Sequence, residues 1–191
     1  VHCLLPRRLE HQTGGCRPDS IQEMALGGRA DGTFEAIVGR TFGTAGNGGG
    51  GAGCANTRVY RFPQVSMPQA TVSTFTGRGL PFRAPGHPQG LFALEGLVEL
   101  FCHEAKLDPL AVRLKNDPHP VRQAQWRLGA DRIGWAKTRR TTPGSDAGPV
   151  KRGVGCAAAI WYQKGRGSWN VDIEVEKDGT VVVIPRRESA P

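Results

Sequence analysis

Residues 80 to 95 read Leu-Pro-Phe-Arg-Ala-Pro-Gly-His-Pro-Gln-Gly-Leu-Phe-Ala-Leu-Glu, which sets Arg83 on a Pro/Gly elbow running straight into an apolar helical repeat. The leading backbone N–H groups of a helix lack partners within it, so an elbow that turns them outward beside a fixed guanidinium makes a receptor for an anion. A phosphate or a pterin-like heterocycle fits that chemistry. The same residues also fit a plain tight turn with Arg83 in a surface salt bridge, because Gly/Pro clusters before helices are ordinary turn chemistry.

The remaining reactive residue types are poorly placed for chemistry. Cysteines stand at 3, 16, 54, 102 and 156, an odd number with no CxxC pair, which favours free thiols in a reducing cytoplasm. Cys102 falls in an apolar helix and Cys156 in a small-residue strand, both core positions. The five histidines show no ligand spacing, and His87, on the elbow, reads as a solvent-facing loop histidine. Residues 43 to 55 hold Gly46, Gly48, Gly49, Gly50, Gly51 and Gly53 without the Lys-Ser/Thr of a phosphate-binding loop, so a flexible loop is expected. Asp172, Glu174 and Glu176 alternate with Val171, Ile173 and Val175, the pattern of a strand with one wet and one buried face rather than a catalytic pair.

The 191 residues are 38% hydrophobic, enough for a core, and 27 glycines with 14 prolines call for many loops. The net charge of +8 raises nucleic acid as a partner. The cations are scattered, however, with neither a basic helical stripe nor an aromatic-basic motif, so no nucleic-acid partner is expected. No apolar run reaches the roughly 18 residues of a spanning helix, and no membrane partner is expected.

Apolar spacing then supplies the elements. Residues 21 to 38 form an edge hairpin around Asp31-Gly32. Residues 59 to 63 and 70 to 75 are β-rich, the second delivering the chain to the elbow. Leu91, Leu94, Leu97, Val98, Phe101 and Ala105 mark one face of a long helix. Asp108 as N-cap and Pro109 at the first position start a second helix, with Leu110 and Leu114 on its buried side and Asn116-Asp117-Pro118 at its end. Trp126 to Trp135 suggest a third, residues 141 to 150 a linker, and residues 153 to 162, 170 to 175 and 180 to 184 three strands with nothing left to cover them. Residues 1 to 19 show no periodicity and read as an unordered leader.

Phe82-Arg83-Ala84-Pro85-Gly86 with Pro88-Gln89-Gly90 and Glu95, then Leu107-Asp108-Pro109-Leu110 with Arg113-Leu114 and Asn116, then Leu128-Gly129-Ala130 with Gly134-Trp135, and last Gly153-Val154-Gly155 with Asp178-Gly179-Thr180-Val181 follow one another in order. That order resembles the molybdopterin-binding large subunit of the xanthine dehydrogenase/aldehyde oxidase family. The resemblance implies an α+β fold: the hairpin and helices of the first molybdenum cofactor-binding domain over residues 20 to 140, a linker over 141 to 150, and the opening strands of the second domain over 151 to 191. It implies an oxidoreductase that hydroxylates an aldehyde or N-heterocycle with water-derived oxygen, in the cytoplasm, with iron–sulfur and FAD partner subunits and a small-molecule substrate. The cofactor would be a molybdenum-pyranopterin, as a cytosine dinucleotide, whose dithiolene leaves the protein no Cys or His ligand to supply.

By the same resemblance Phe82, Arg83, Ala84 and Gly86 are cofactor-binding, with Arg83 beside the metal centre and Phe82 packed behind it. Pro85 lines the substrate pocket where some members carry an aromatic, which disfavours a purine. Gly51 falls where purine-oxidising members place a second arginine. The family's upstream glutamine loop and its near-C-terminal glutamate base have no counterpart here, so no catalytic residue is expected in this partial chain, and it is expected to be inactive alone. The alternative is a non-catalytic basic binding or structural module.

Overall fold

The Asp31-Gly32 turn works as its composition dictates: Gly32 sits at φ 87°, and the Asp31 carboxylate accepts from the Thr33 amide at 3.0 Å. It joins β1 (Ser20–Gly28) to β2 (Phe34–Gly46) in an antiparallel pair with a bulge at Gly27/Gly28. The computed structural model describes residues 2–48, 54–140, 142, 144–161 and 169–187. By contacts the chain divides into two units, Val1–Ile160 and Trp161–Pro191.

In the first unit β2 is interior to its sheet rather than at an edge. Short β3 (Gln64–Ser66) and β4 (Gln69–Ser73) both pair parallel to it, along Ala36 to Val38 and Thr41 to Gly46 respectively. β4 is the strand expected before the elbow. Residues 59 to 63 form no strand, however. Their backbone bonds elsewhere, the Arg61 amide to the Asn116 carbonyl at 3.0 Å and the Val59 carbonyl to Arg122 at 3.2 Å, so Val59 and Tyr60 enter the core from a turn.

The apolar repeat folds as α2 (His87–Glu104), which packs against β1. Leu91, Leu94, Val98 and Cys102 join Phe34, Ile37, Val59, Tyr60 and Val112 in one core. Phe34 anchors it, edge-on to Tyr60 and Phe101 and stacked 5.2 Å from Phe62. Helix α3 (Pro109–Asn116) starts as expected, with Asp108 accepting from the Leu110 amide. Its buried face is rotated from expectation: Pro109, Val112, Arg113 and Asn116 are buried, while Leu110 and Leu114 are half-buried. The reason is polar. Asn116 accepts from the Phe34 amide and donates to the Gly32 and Val112 carbonyls, so α3 turns toward the hairpin loop.

Helices α4 (Pro120–Ile133) and α5 (Trp135–Thr138) are separated by Gly134 at φ 63°. Asp117 is buried between Arg122, which grips it at 2.6 and 2.8 Å, and the Trp126 indole at 3.2 Å. The N-terminal stretch is not devoid of elements: α1 (Arg7–Thr13) forms there, and Cys16 bridges to Gly79. Its Leu9 is 41% exposed. A helix without a buried face leaves no apolar period to read. Residues 151 to 161 form no strand where one was expected; residue 162 and Gly51 lie outside the described residues, as do 141 and 143 of the expected linker.

The second unit is a hairpin, β5 (Trp169–Val175) with β6 (Val181–Arg187), closed at Asp178-Gly179 as its sequence dictates. Val171, Ile173, Val175, Val181 and Val183 are each at least half exposed. The face expected to be buried is therefore bare within this unit, since two strands alone cannot cover it.

Helix α2 approaches the Cys54 to Asn56 backbone so closely that a Cβ at Gly90 would lie 1.9 Å from the Cys54 carbonyl oxygen. Gly90→Ala is expected to cost about 1–3 kcal/mol through overpacking against backbone that cannot swing aside, read as a lower midpoint in urea unfolding.

Candidate functional site

The elbow is built from two left-handed residues, Ala84 at φ 61° and Gly86 at φ 77°. Gly86 adopts that conformation freely. Ala84 does not, and its strain of roughly 1–2 kcal/mol persists only because the surroundings impose it. The Ala84 carbonyl accepts from the His87 amide at 3.0 Å. Pro88 has no N–H, so at most two of the four leading amides of α2, those of Gly86 and Gln89, are left for an anion.

Arg83 is exposed, and among the described residues no carboxylate pairs with it. Phe82 is 70% exposed beside it, and Pro85 is exposed. Ala84 and Gly86 are half-buried. The five residues expected to act together thus occupy one turn, with the guanidinium and the Phe82 ring on its accessible side.

Behind the turn the start of α2 is fastened at several points. The Gln89 side chain donates to the Pro18 carbonyl, and Gln22 of β1 donates to the Gln89 carbonyl, each at 3.0 Å. His87 is not a solvent-facing residue: it is 4% exposed. Its Nδ1 lies 2.9 Å from the Asn56 side-chain nitrogen and 2.7 Å from the Ile160 carbonyl. His87 opens α2, with Pro88 in its first turn, and so belongs to the helix rather than to a loop. Arg17 reaches the elbow from the N-terminal stretch, donating from Nη2 to the Arg83 carbonyl at 2.9 Å. Neither contact leaves a local sequence signal, because both partners are distant in the chain.

About two turns further along α2 lies a second polar cluster, buried except at Glu99. Glu95 accepts from the Tyr60 hydroxyl at 2.6 Å and from Arg113 at 2.8 Å, and Arg113 extends to Glu99 at 3.0 Å and to the Pro109 carbonyl at 3.2 Å. Burial and then the Glu95 charge raise the Tyr60 phenol far above its ordinary value. Burial acts to lower the Arg113 guanidinium, but Tyr60 and Glu95 outweigh it and hold the charge in place. The buried charges of Glu95 and Arg113 are matched to one another, which makes the cluster a structural one. Burial pushes the Cys102 and Cys156 thiols up to about 11, so neither is a thiolate at neutral pH. Among the described residues no group of three His, Cys, Asp or Glu side chains is placed to hold a metal ion, and no helix is long and apolar enough to cross a membrane.

Comparison with known proteins gives these features a context. The family profile of the molybdopterin cofactor-binding domain matches residues 1–117. The aldehyde oxidoreductase molybdenum-binding subunit PaoC of Escherichia coli O157:H7 is 29% identical over 205 residues, covering 96% of this chain and 27% of that protein. The chain therefore spans about a quarter of the length of the curated relatives it matches. Among solved structures, the aldehyde oxidoreductase from Desulfovibrio desulfuricans superposes with a TM-score of 0.67 and that from Desulfovibrio gigas with 0.61, each at 20% identity over 88% of this chain and 21% of the other. At that identity the likeness is one of fold, and it agrees with the mixed α+β architecture described above.

Two substitutions test how the site is held. Arg113→Met leaves the Glu95 carboxylate buried and unpaired and is expected to cost about 3–5 kcal/mol, whereas Tyr60→Phe removes one hydrogen bond and costs about 1–2 kcal/mol, both measured by chemical denaturation. Burial pushes the Asp117 carboxyl up, but Arg122, the His119 amide and Trp126 together hold it below its ordinary value. A depressed folded-state pKa gives stability that is present above the unfolded value near 4 and lost as pH falls through the folded one. Thermal melts between pH 6 and pH 2 are expected to show this acid loss, and Asp117→Asn to flatten it.

Proposed function

The chain belongs to the molybdopterin cofactor-binding domain family, and on that premise we propose that it is a piece of the large subunit of a molybdenum hydroxylase, carrying the elbow that faces the cofactor. One observation carries the reading: an exposed Arg83 guanidinium, free of any carboxylate partner among the described residues, held on a strained left-handed turn ahead of α2. Backbone strain at Ala84 and an uncompensated guanidinium fall on the same turn, and their coincidence supports a binding role.

The donors at the elbow fit a molybdenum-pyranopterin. Arg83 would supply fixed positive charge, the Gly86 and Gln89 amides would donate to hydrogen-bond acceptors on it, and Phe82 would back the arginine with an apolar surface. When bound, the cofactor supplies the redox chemistry by which an aldehyde or N-heterocycle is hydroxylated with oxygen from water. The chain's own part is to orient that group and to offset negative charge beside it. The dinucleotide form is part of the reading. Pro85 cannot stack on a planar ring as an aromatic would, which favours a non-purine substrate.

Residues 20 to 140 belong, in this reading, to the first cofactor-binding domain and 151 to 191 to the start of the second. A general base is supplied from beyond this chain, and its loss alone removes roughly 10²–10⁴-fold in rate, so the segment is inactive alone. Iron–sulfur and FAD subunits would accept the electrons. Unpaired cysteines without ligand spacing support a cytoplasmic setting.

Molybdenum content and released pterin, measured per mole of purified large subunit containing this segment, test the reading. Arg83→Ala is expected to lower both about tenfold, with Arg83→Lys in between. Unchanged content in both variants would sink the assignment and favour the plain turn.

A further inference from the structure

Arg17 lies where the sequence offers no periodic signal, yet it makes two contacts with consecutive residues of the elbow. Its Nη2 donates to the Arg83 carbonyl at 2.9 Å across 66 positions of chain, and its guanidinium carbon stands 5.2 Å from the centroid of the Phe82 ring. Its Nη1 is buried and has no hydrogen-bond partner among the described residues. A planar guanidinium that stacks on one side chain while bonding the next backbone carbonyl restrains both residues at once, which a lysine ammonium does less well.

The approach of Arg17 is fixed by backbone. The Cys16 amide donates to the Arg78 carbonyl at 3.1 Å, and the Leu80 amide to the Cys16 carbonyl at 2.9 Å. These bonds hold the chain at Cys16 against the strand of backbone that leads into the elbow, and Arg17 is the next residue. The Gln89 side chain bonds to the Pro18 carbonyl at 3.0 Å, so the residue after Arg17 is tied to α2 as well. Arg17 is thus held from both sides at the entrance to a turn whose central residue, Ala84, needs external restraint.

We propose that Arg17 is the positioning residue of Arg83: it clamps the Phe82 ring and the Arg83 carbonyl so that the Arg83 guanidinium leaves the left-handed turn in one direction. The functional value of the clamp rests on reading the elbow as cofactor-facing; its existence as a clamp does not. Arg17 acts through Arg83 and is not itself a catalytic residue.

Limited trypsin digestion of the full chain, followed by mass spectrometry, reads the clamp directly, because the bond cut after Arg83 is the one whose carbonyl Arg17 holds. Trypsin does not cut before proline, and Arg17 precedes Pro18, so replacing it deletes no cleavage site. Arg17→Met is expected to speed cleavage after Arg83 about tenfold, equivalent to about 1.4 kcal/mol of local opening, while cleavage after Arg132 and Lys137 is unchanged. Arg17→Lys, which keeps a donor, is expected to restore part of the protection. Equal cleavage after Arg83 in Arg17→Met and the parent overturns the proposal, and so does a uniform rise at all sites, which marks general destabilisation. The digestion needs no cofactor, so it is separable from the molybdenum measurement. Selective cleavage with undiminished molybdenum in Arg83→Ala would keep the clamp and discard its cofactor role.

Discussion

The buried carboxylate of Glu95 is the constraint around which the first unit is arranged. A carboxylate taken out of water is costly unless each of its oxygens is matched, and here Tyr60 occupies one and Arg113 the other. Tyr60 comes from the turn after the glycine-rich stretch, Arg113 from α3 and Glu95 from the middle of α2. Three separate parts of the chain must meet at one point before the charge is satisfied. That meeting fixes the rotation of α2, and with it the direction in which its N-terminus and the preceding elbow face.

The elbow inherits its rigidity from that arrangement and from a ring of smaller contacts. Gly90 lets α2 lie against the backbone at Cys54, which brings His87 into the buried space between Asn56 and Ile160. Gln22, Gln89 and Arg17 fasten the opposite side. The energies involved are individually about 0.5–1.5 kcal/mol, yet together they outweigh the strain at Ala84. A turn restrained this way presents a charged side chain without depending on that side chain for its own stability. Arg83 can therefore stand without an internal counter-charge.

The polar residues divide by how they are matched. Glu95, Arg113, Asp117 and Asn116 are buried and fully engaged, and they hold elements together. Arg83 is exposed and unmatched, and it faces outward. In the second unit Val171, Ile173 and Val175 of β5 show the apolar counterpart of this division: they alternate with polar residues and are exposed.

Local rules written in the sequence determined the hairpin at Asp31-Gly32, the strand before the elbow, the long helix from its apolar spacing, the Asp108-Pro109 helix start and the Asp178-Gly179 turn. Each depends on residues within a few positions of one another, and the ordered motifs around Phe82 to Gly86 carried the family resemblance in the same local way. Tertiary structure alone decided that Arg113 and His87 are buried, that residues 59 to 63 enter the core as a turn, that α3 shows Asn116 rather than Leu114 to the interior, and that Arg17 lies on the elbow. In each of these cases a deciding partner is far away in the chain, 18 residues for Arg113 and Glu95 and 84 for Asn116 and Gly32. Hydrogen bonding of buried polar groups is a demand that composition announces but only the folded chain can assign, because it is met by whichever distant donor or acceptor the packing brings within reach.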